Sequence, residues 1–313
     1  MAEDRYRAAS ARLRGPLAPL VVPFTEDEEV DHASLAGWVD WMAASGVPVM
    51  WTTGGTSEMA SLTEEEVFGI TETVARANAG RAFFIASTGP TWPVRRCIEL
   101  VKHAQACGAD AVKVQLNWAG RPEARDVLDF YGRIASATDL PLLAYTVGQP
   151  GMSVDLLLQI VEAFPQFVGI KNDTDDEYRQ TSYLTAVPPG FAVITGGMMR
   201  PFVLGHHFGQ RCYADSFAMF MPSVALAFFA HMESGRTAQA VEQVKRYEMA
   251  WSELTYLGRH GLDVKAASKS ILWLTGHIAT NQIRFPCRRH ALDGAEMAVI
   301  RNFLQQVGAQ IRR

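Results

Sequence analysis

Among 313 residues there are only six lysines: Lys102, Lys113, Lys171, Lys245, Lys265 and Lys269. An amine attacks a carbonyl only when it is neutral, and a lysine loses its proton near neutral pH where water is excluded from it. Lys171 follows four residues of buried-strand character in FVGIK, the setting a Schiff-base amine needs. The same position also suits an ion pair with a loop carboxylate, Asp173 or Asp175. Lys113 competes for the role. It lies in the middle of the apolar run AVKVQL, free to face either side of a sheet, and a mid-strand lysine is more often a buried ion-pair partner than a nucleophile. The other four lysines fall in helical segments and read as ordinary solvated-face residues.

Schiff-base chemistry needs a proton carrier beside the amine, because a carbinolamine must form and then lose water. Tyr145, at the end of the run PLLAYT, can supply a phenol; otherwise it is an amphipathic ring with its hydroxyl in water. A second loop, TTGGTSE over 52–58, offers Gly55 for close backbone approach and Thr56 for a hydroxyl, together able to hold a carboxylate. Such a turn taken alone is a weak signal. His206 and His207 are adjacent, so on a helix they point about 100° apart and suit a helix C-terminus better than a metal pair. Asp173, Asp175, Asp176 and Glu177 offer oxygen ligands for a divalent cation, but acids at a helix N-terminus explain them more simply.

The elements that must position these residues recur with a regular beat. Eight short apolar runs read as strands: 18–23, 48–53, 82–87, 111–116, 141–146, 167–171, 191–195 and 212–217. They are spaced by roughly 20–35 residues, the length of one strand–helix unit. Between them lie helical patterns, such as Leu35, Trp38, Val39 and Met42 on one face of 31–45, and Thr63 to Glu66 as a capping box ahead of Val67, Ile70 and Val74. Eight such units, with no glycine-rich dinucleotide turn after the first strand, predict an α/β fold, a (β/α)8 TIM barrel with appended C-terminal helices. In a barrel of this kind chemistry sits at the C-terminal ends of the strands, where Lys171 and Tyr145 fall. Residues 1–15 read as an N-terminal extension, 16–234 as the barrel, and 235–313 as a helical region packed on it.

Composition limits the remaining classes. Hydrophobic residues make up 48% and charged residues 20%, which is globular usage rather than that of a disordered chain. A formal net charge of −4 gives no electrostatic reason to expect nucleic acid or an anionic membrane surface as partner. The four cysteines, Cys97, Cys107, Cys212 and Cys287, show no metal-ligand spacing and read as reduced thiols of a cytoplasmic protein. The first fifteen residues carry no apolar core of a signal peptide. The most apolar run, 217–230, is too short to span a bilayer and is broken at Pro222.

The loop after the second strand carries a longer pattern: Gly54, Thr56, Glu58, Leu62, Thr63, Glu65 and Glu66. With PLVVPFT in the first strand region, PLLAYT in the fifth and VGIK in the sixth, the chain resembles the dihydrodipicolinate synthase/N-acetylneuraminate lyase family over roughly residues 16–310. The resemblance implies a class I aldolase or dehydratase with no metal or organic cofactor. It makes Lys171 the Schiff-base lysine and Tyr145 the proton carrier, and it has Gly55 and Thr56 hold the carboxylate of pyruvate or another 2-keto acid. It also implies a homodimer or homotetramer.

Departures from the synthase pattern bear on substrate. Gly55-Thr56 stands in the second loop where the synthase pattern has two threonines; LNWAG holds Trp118 and Ala119 where an aromatic pair belongs; and TVGQPG carries no arginine. These losses argue against dihydrodipicolinate formation. The run YADSFAMFMP at strand eight lies nearer the 5-dehydro-4-deoxyglucarate dehydratase branch, from which Ser57 and Thr146 still depart. A 2-keto-3-deoxy sugar acid is therefore the expected substrate. The rivals are dihydrodipicolinate synthase-like condensation, a metal-dependent barrel using the acids after strand six, and a keto-acid-binding homologue without turnover.

Overall fold

The computed structural model describes residues 2–89, 92–116, 122–147, 152–173, 176–256, 260–287 and 292–313. Eight parallel strands close into a barrel in the order β1 to β8. They are β1 (Gly15–Pro19), β2 (Val49–Trp51), β3 (Phe83–Ser87), β4 (Ala111–Val114), β5 (Leu142–Val147), β6 (Phe167–Asp173), β7 (Ala192–Thr195) and β8 (Cys212–Ala214). Helices alternate with the strands, so the expected (β/α)8 architecture with further helices toward the C-terminus is present.

The chain divides into two compact units. The first comprises Met1–Leu17, Pro48–Trp51 and Gly80–Ala214 and contains the barrel ladder. Side chains alternate across each strand. Leu17, Val49, Trp51, Phe83, Ile85, Ala111, Leu143, Tyr145, Ile194 and Cys212 thus gather in one buried cluster. Helix α1 (Ala2–Arg12) adds Tyr6, and Leu13 follows it into that cluster. Ser10 Oγ donates to the Val168 carbonyl at 3.2 Å, which ties this segment to the start of β6. The N-terminal segment is therefore helical and contributes to the core, a feature the extension reading did not include.

The second unit comprises Ala18–Val47, Thr52–Ala79 and Asp215–Arg313. Helix α2 (His32–Ala44) starts at Asp31, whose carboxylate accepts from Ser34 N at 2.9 Å, and buries Leu35, Trp38, Val39 and Met42. Helix α3 (Glu64–Asn78) has the predicted capping box. Thr63 Oγ1 accepts from Glu66 N at 3.2 Å, and Glu66 accepts from Thr63 N at 2.8 Å. Trp251, Phe220 and Phe303 pack with ring centroids 6.0–6.5 Å apart in the helical C-terminal part. The apolar run after β8 is two helices, Phe217–Phe220 and Pro222–Glu233, divided at the proline.

Most strand boundaries differ from expectation by one to four residues, and those of β1, β8 and β6 bear on the fold and the site. β1 begins at Gly15, three residues early, because Gly15, Pro16 and Leu17 pair with Cys212, Tyr213 and Ala214. Leu20, Val21 and Val22 are apolar because they are buried beyond the ladder, not because they are part of it. β8 stops at Ala214, before the short helix. β6 continues two residues past Lys171 to Asp173. That extension decides the composition of the site.

Candidate active site

Tyr145 and Lys171 are direct register partners on β5 and β6, which brings the two predicted residues together at the C-terminal end of adjacent strands. Residues two apart on a strand share a face, so Asp173 lies on the same face as Lys171. Lys171 Nζ forms an ion pair with Asp173 Oδ1, and the Tyr145 hydroxyl donates to Asp173 Oδ2 at 2.8 Å. One carboxylate thus joins the amine to the phenol. The ion-pair alternative for Lys171 and the pairing with Tyr145 are both realised, through the same residue. Asp173 is not a helix N-terminal acid; the helix after β6, Glu177–Ala186, is capped instead by Asp176, which accepts from Arg179 N at 3.2 Å. Asp175 lies outside the described residues.

Space for this group depends on Gly196, just beyond β7. A Cβ there would strike Asp173 Oδ1 and approach Lys171 Nζ to 2.8 Å. The walls are apolar. Trp51 at the end of β2 is 4% exposed, and its ring centroid lies 4.8 Å from Lys171 Nζ.

Burial sets the electrostatics. It lowers the Lys171 pKa, an effect opposed by the Asp173 charge and hydrogen bond. Burial would raise the Asp173 carboxyl, but Lys171, the Tyr145 hydroxyl and the charge of Lys113 together bring it below its ordinary value. Tyr145 is raised by burial and by the adjacent carboxylate, so its proton stays on. Burial pushes the Cys212 thiol up to about 12, which keeps it neutral. The arrangement holds a desolvated amine, an anionic proton acceptor and a neutral phenol donor in one hydrogen-bonded chain.

Lys113 points into the barrel. Its Nζ lies 4.3 Å from the Trp51 ring centroid and 4.2 Å from that of Tyr145. Among the described residues it has no hydrogen-bond partner, and the ion-pair reading of this lysine finds no partner there. Burial lowers its pKa to about 7, with the Lys171 charge acting in the same direction and Asp173 against it.

Gly55 and Thr56 belong to the second unit, in a single 3-10 turn over Gly55–Ser57. The turn is anchored by Ser57: its Oγ donates to the Leu20 carbonyl and accepts from Gly54 N at 3.2 Å. Thr53 and Glu58, on either side, hold left-handed backbones with φ of 53° and 55°. Glu58 is fully buried and ion-paired to Lys269, and its Oε2 accepts from Arg284 N at 2.9 Å. Lys269 is therefore not a solvated-face lysine. It is buried, and it also donates to the Gln282 carbonyl at 2.8 Å. Helical period alone did not reveal it, because its partner is more than two hundred residues away in sequence.

Two further expectations are met in part or not covered. The helix after β7, Met199–His207, ends at His206 and His207, whose rings stand 83° apart, as expected for a helix end. Trp118, Ala119 and the segment GQPG of TVGQPG lie outside the described residues. Among the described residues no helix is long and apolar enough to cross a membrane.

Comparison with known proteins identifies relatives along most of the chain. The model of the dihydrodipicolinate synthetase family matches residues 12–294. A 4-hydroxy-tetrahydrodipicolinate synthase from Chlorobium luteolum is 31% identical over 60% of this chain and 64% of its own length. The chain thus spans just under two thirds of that relative. A 4-hydroxy-tetrahydrodipicolinate synthase from Rhizobium meliloti is 28% identical over 73% of this chain and 78% of its own. The crystal structure of dihydrodipicolinate synthase from Acinetobacter baumannii complexed with pyruvate superposes with a TM-score of 0.82 at 26% identity, covering 95% of this chain and 100% of that one. A prophage protein of the dihydrodipicolinic acid synthase family from E. coli K12, in complex with pyruvate, shares the fold with a TM-score of 0.85 at 21% identity, covering 95% and 99%. The chain belongs to the dihydrodipicolinate synthetase family.

Proposed function

We propose that Lys171 Nζ forms a Schiff base with the keto carbon of pyruvate or a longer 2-keto acid, and that the substrate is a 2-keto-3-deoxy sugar acid. The observation that carries this reading is the buried chain from Lys171 through Asp173 to Tyr145. Attack of the neutral amine makes the C–N bond and a carbinolamine. Loss of the carbinolamine hydroxyl as water, with Tyr145 supplying the proton, leaves the imine. The protonated imine then withdraws electrons from C3, so either a C3 proton or the C3–C4 bond can leave. Asp173, a base bonded to both groups, takes the proton that the attacking nitrogen sheds as the C–N bond forms and passes it to Tyr145, which restores the phenol. Gly55 and Thr56 hold the substrate carboxylate; the support is the shared motif and the turn conformation that Ser57 fixes.

Pyruvate as the minimal ligand is supported by the two relatives described in complex with it. The sugar-acid assignment is supported by sequence: LNWAG has no tyrosine and TVGQPG has no arginine for a second substrate's carboxylate. A lost charge-assisted hydrogen bond costs about 1.5–3 kcal/mol. The same chemistry allows a place in the 5-dehydro-4-deoxyglucarate dehydratase branch. The second reading, condensation as in the relatives named above, is favoured by their shared name. By the family resemblance the chain assembles as a homodimer or homotetramer, which sedimentation equilibrium would read.

Borohydride reduction in the presence of pyruvate and a panel of 2-keto acids, followed by peptide mapping, tests the nucleophile. One adduct on Lys171 is expected; no adduct with any keto acid, or an adduct on Lys113, overturns the assignment. Parallel assays with aspartate semialdehyde and with 2-keto-3-deoxy sugar acids test the substrate class. Efficient dihydrodipicolinate formation without turnover of any sugar acid would decide for the second reading.

A further inference from the structure

Among the described residues the barrel interior holds two amines, Lys113 and Lys171, beside one carboxylate, Asp173. Lys113 on β4 and Lys171 on β6 both place Nζ within 5 Å of the Trp51 ring centroid, at 4.3 and 4.8 Å. Lys171 is paired with Asp173, whereas Lys113 Nζ, on a residue that is 0% exposed, has no hydrogen-bond partner among the described residues. The groups facing them are Asp173 from β6, the neutral Tyr145 from β5 and the neutral Cys212 from β8, and β3 presents Ser87 as the register partner of Lys113. With both amines protonated the group carries one uncompensated buried positive charge, which is costly. With one proton between them it is neutral.

We propose that Lys113 is the second amine of the site: it shares one proton with Lys171 across the Asp173 carboxylate and so frees Lys171 to attack a keto carbon. The inference rests on the Schiff-base reading above. In the resting arrangement the proton is on Lys171, beside Asp173. Moving it to Lys113 breaks one N–H bond on Lys171 and forms one on Lys113, with no change in net charge. Lys171 is then a neutral nucleophile, and the new ammonium is stabilised by the faces of Trp51 and Tyr145 and by the field of Asp173. Without Lys113, Lys171 becomes neutral only by giving its proton to solvent, which leaves Asp173 as an uncompensated buried anion, or to Asp173 itself, whose carboxyl is held below its ordinary value by the groups around it and takes the proton poorly. Lys113 is thus a positioning residue, acting through Lys171.

The two situations differ in pH dependence. Two amines sharing one proton titrate as a pair, and between their two steps the fraction of neutral Lys171 does not change with pH. The initial rate of borohydride-trapped pyruvate adduct on Lys171 should therefore be nearly flat from pH 7 to 9 in the wild type. In Lys113→Met the rate should fall on the order of tenfold at pH 7 and then rise about tenfold per pH unit toward alkaline pH, as for one isolated amine. Adduct formation with parallel wild-type and variant profiles overturns the role of Lys113 and leaves the Schiff-base reading standing; no adduct in the wild type overturns the Schiff-base reading itself. Should Lys113→Met fail to fold, 13Cε-lysine NMR of the wild type decides, since only six lysines contribute signals. Two signals sharing a common first step near neutral pH support the proposal. Independent single titrations of Lys113 and Lys171 near the ordinary lysine value overturn it.

Discussion

The Tyr145 hydroxyl is directed at a carboxylate rather than at water, and this limits what the residue can do. A phenol with its pKa raised by burial and by an adjacent anion is a donor and a relay, not a resident base. Tyr145→Phe keeps the ring that packs against Lys113, so folding should change little while turnover falls by about 10²–10⁴-fold, the usual contribution of a general acid–base group. Steady-state rates beside a thermal melt check this; turnover within a few fold of wild type would remove Tyr145 from the chemistry. Asp173→Asn separates two steps. Losing the counter-charge lowers the Lys171 pKa further, so the borohydride adduct should persist. Turnover should still fall, by about 10²-fold or more, because the proton acceptor is gone. Loss of the adduct together with turnover would show that Asp173 serves attack by the amine and not the later proton transfers.

At the scale of elements, the site depends on where strands and turns end. Two more residues of β6 ladder turn Asp173 inward beside Lys171, and Gly196 leaves the room that the pair occupies. The strand-two loop is held differently, by a buried charge. Glu58 sits in a left-handed conformation between two 3-10 turns, and its carboxylate is compensated by Lys269 and by the Arg284 amide. Removing one partner of a buried pair leaves the other uncompensated, which costs about 3–5 kcal/mol. Lys269→Met should therefore lower the unfolding free energy by about that amount, as read by urea denaturation. A loss under about 1 kcal/mol would mean that the Glu58 charge finds water once Lys269 is gone. The double change Glu58→Gln with Lys269→Met should cost less than the single one, because no bare charge stays behind.

At the scale of the whole molecule, the buried amines tie stability to pH. Lys113 titrates near 7 and Lys269 near 8 in the folded protein, both below the ordinary lysine value. Between the folded and unfolded values the unfolded chain binds more protons, so stability rises with pH there. Each such proton contributes at most about 1.4 kcal/mol per pH unit. Cys212 works in the opposite direction: its folded pKa of about 12 keeps it protonated where the unfolded thiol ionises, above about 8.5. Unfolding free energy should thus climb from pH 7 to about 8.5 and more slowly above it, because Cys212 offsets one of the two lysines. Urea titrations across that range check it, and a stability that falls steadily from pH 7 would show that these lysines are charged in the folded state.

Much of this protein was legible from residue order alone. The strand–helix beat, the capping box at Thr63–Glu66 and the strand-end positions of Lys171 and Tyr145 all follow from local periodicity and turn chemistry, which act over a few residues. The motif around Glu58 marked the family without revealing that its glutamate is a buried ion-pair partner, because that pairing joins segments far apart in sequence. Asp173 was visible as an acid but was assigned to a loop, since nothing local shows that β6 runs two residues past Lys171; pairing with β5 settles that. Which face Lys113 takes, and that among the described residues its amine has no hydrogen-bond partner of its own, required the closed barrel. A strand by itself has two equivalent faces, and only closure of the sheet makes one of them an interior, which buries the Lys113 amine against the rings of Trp51 and Tyr145.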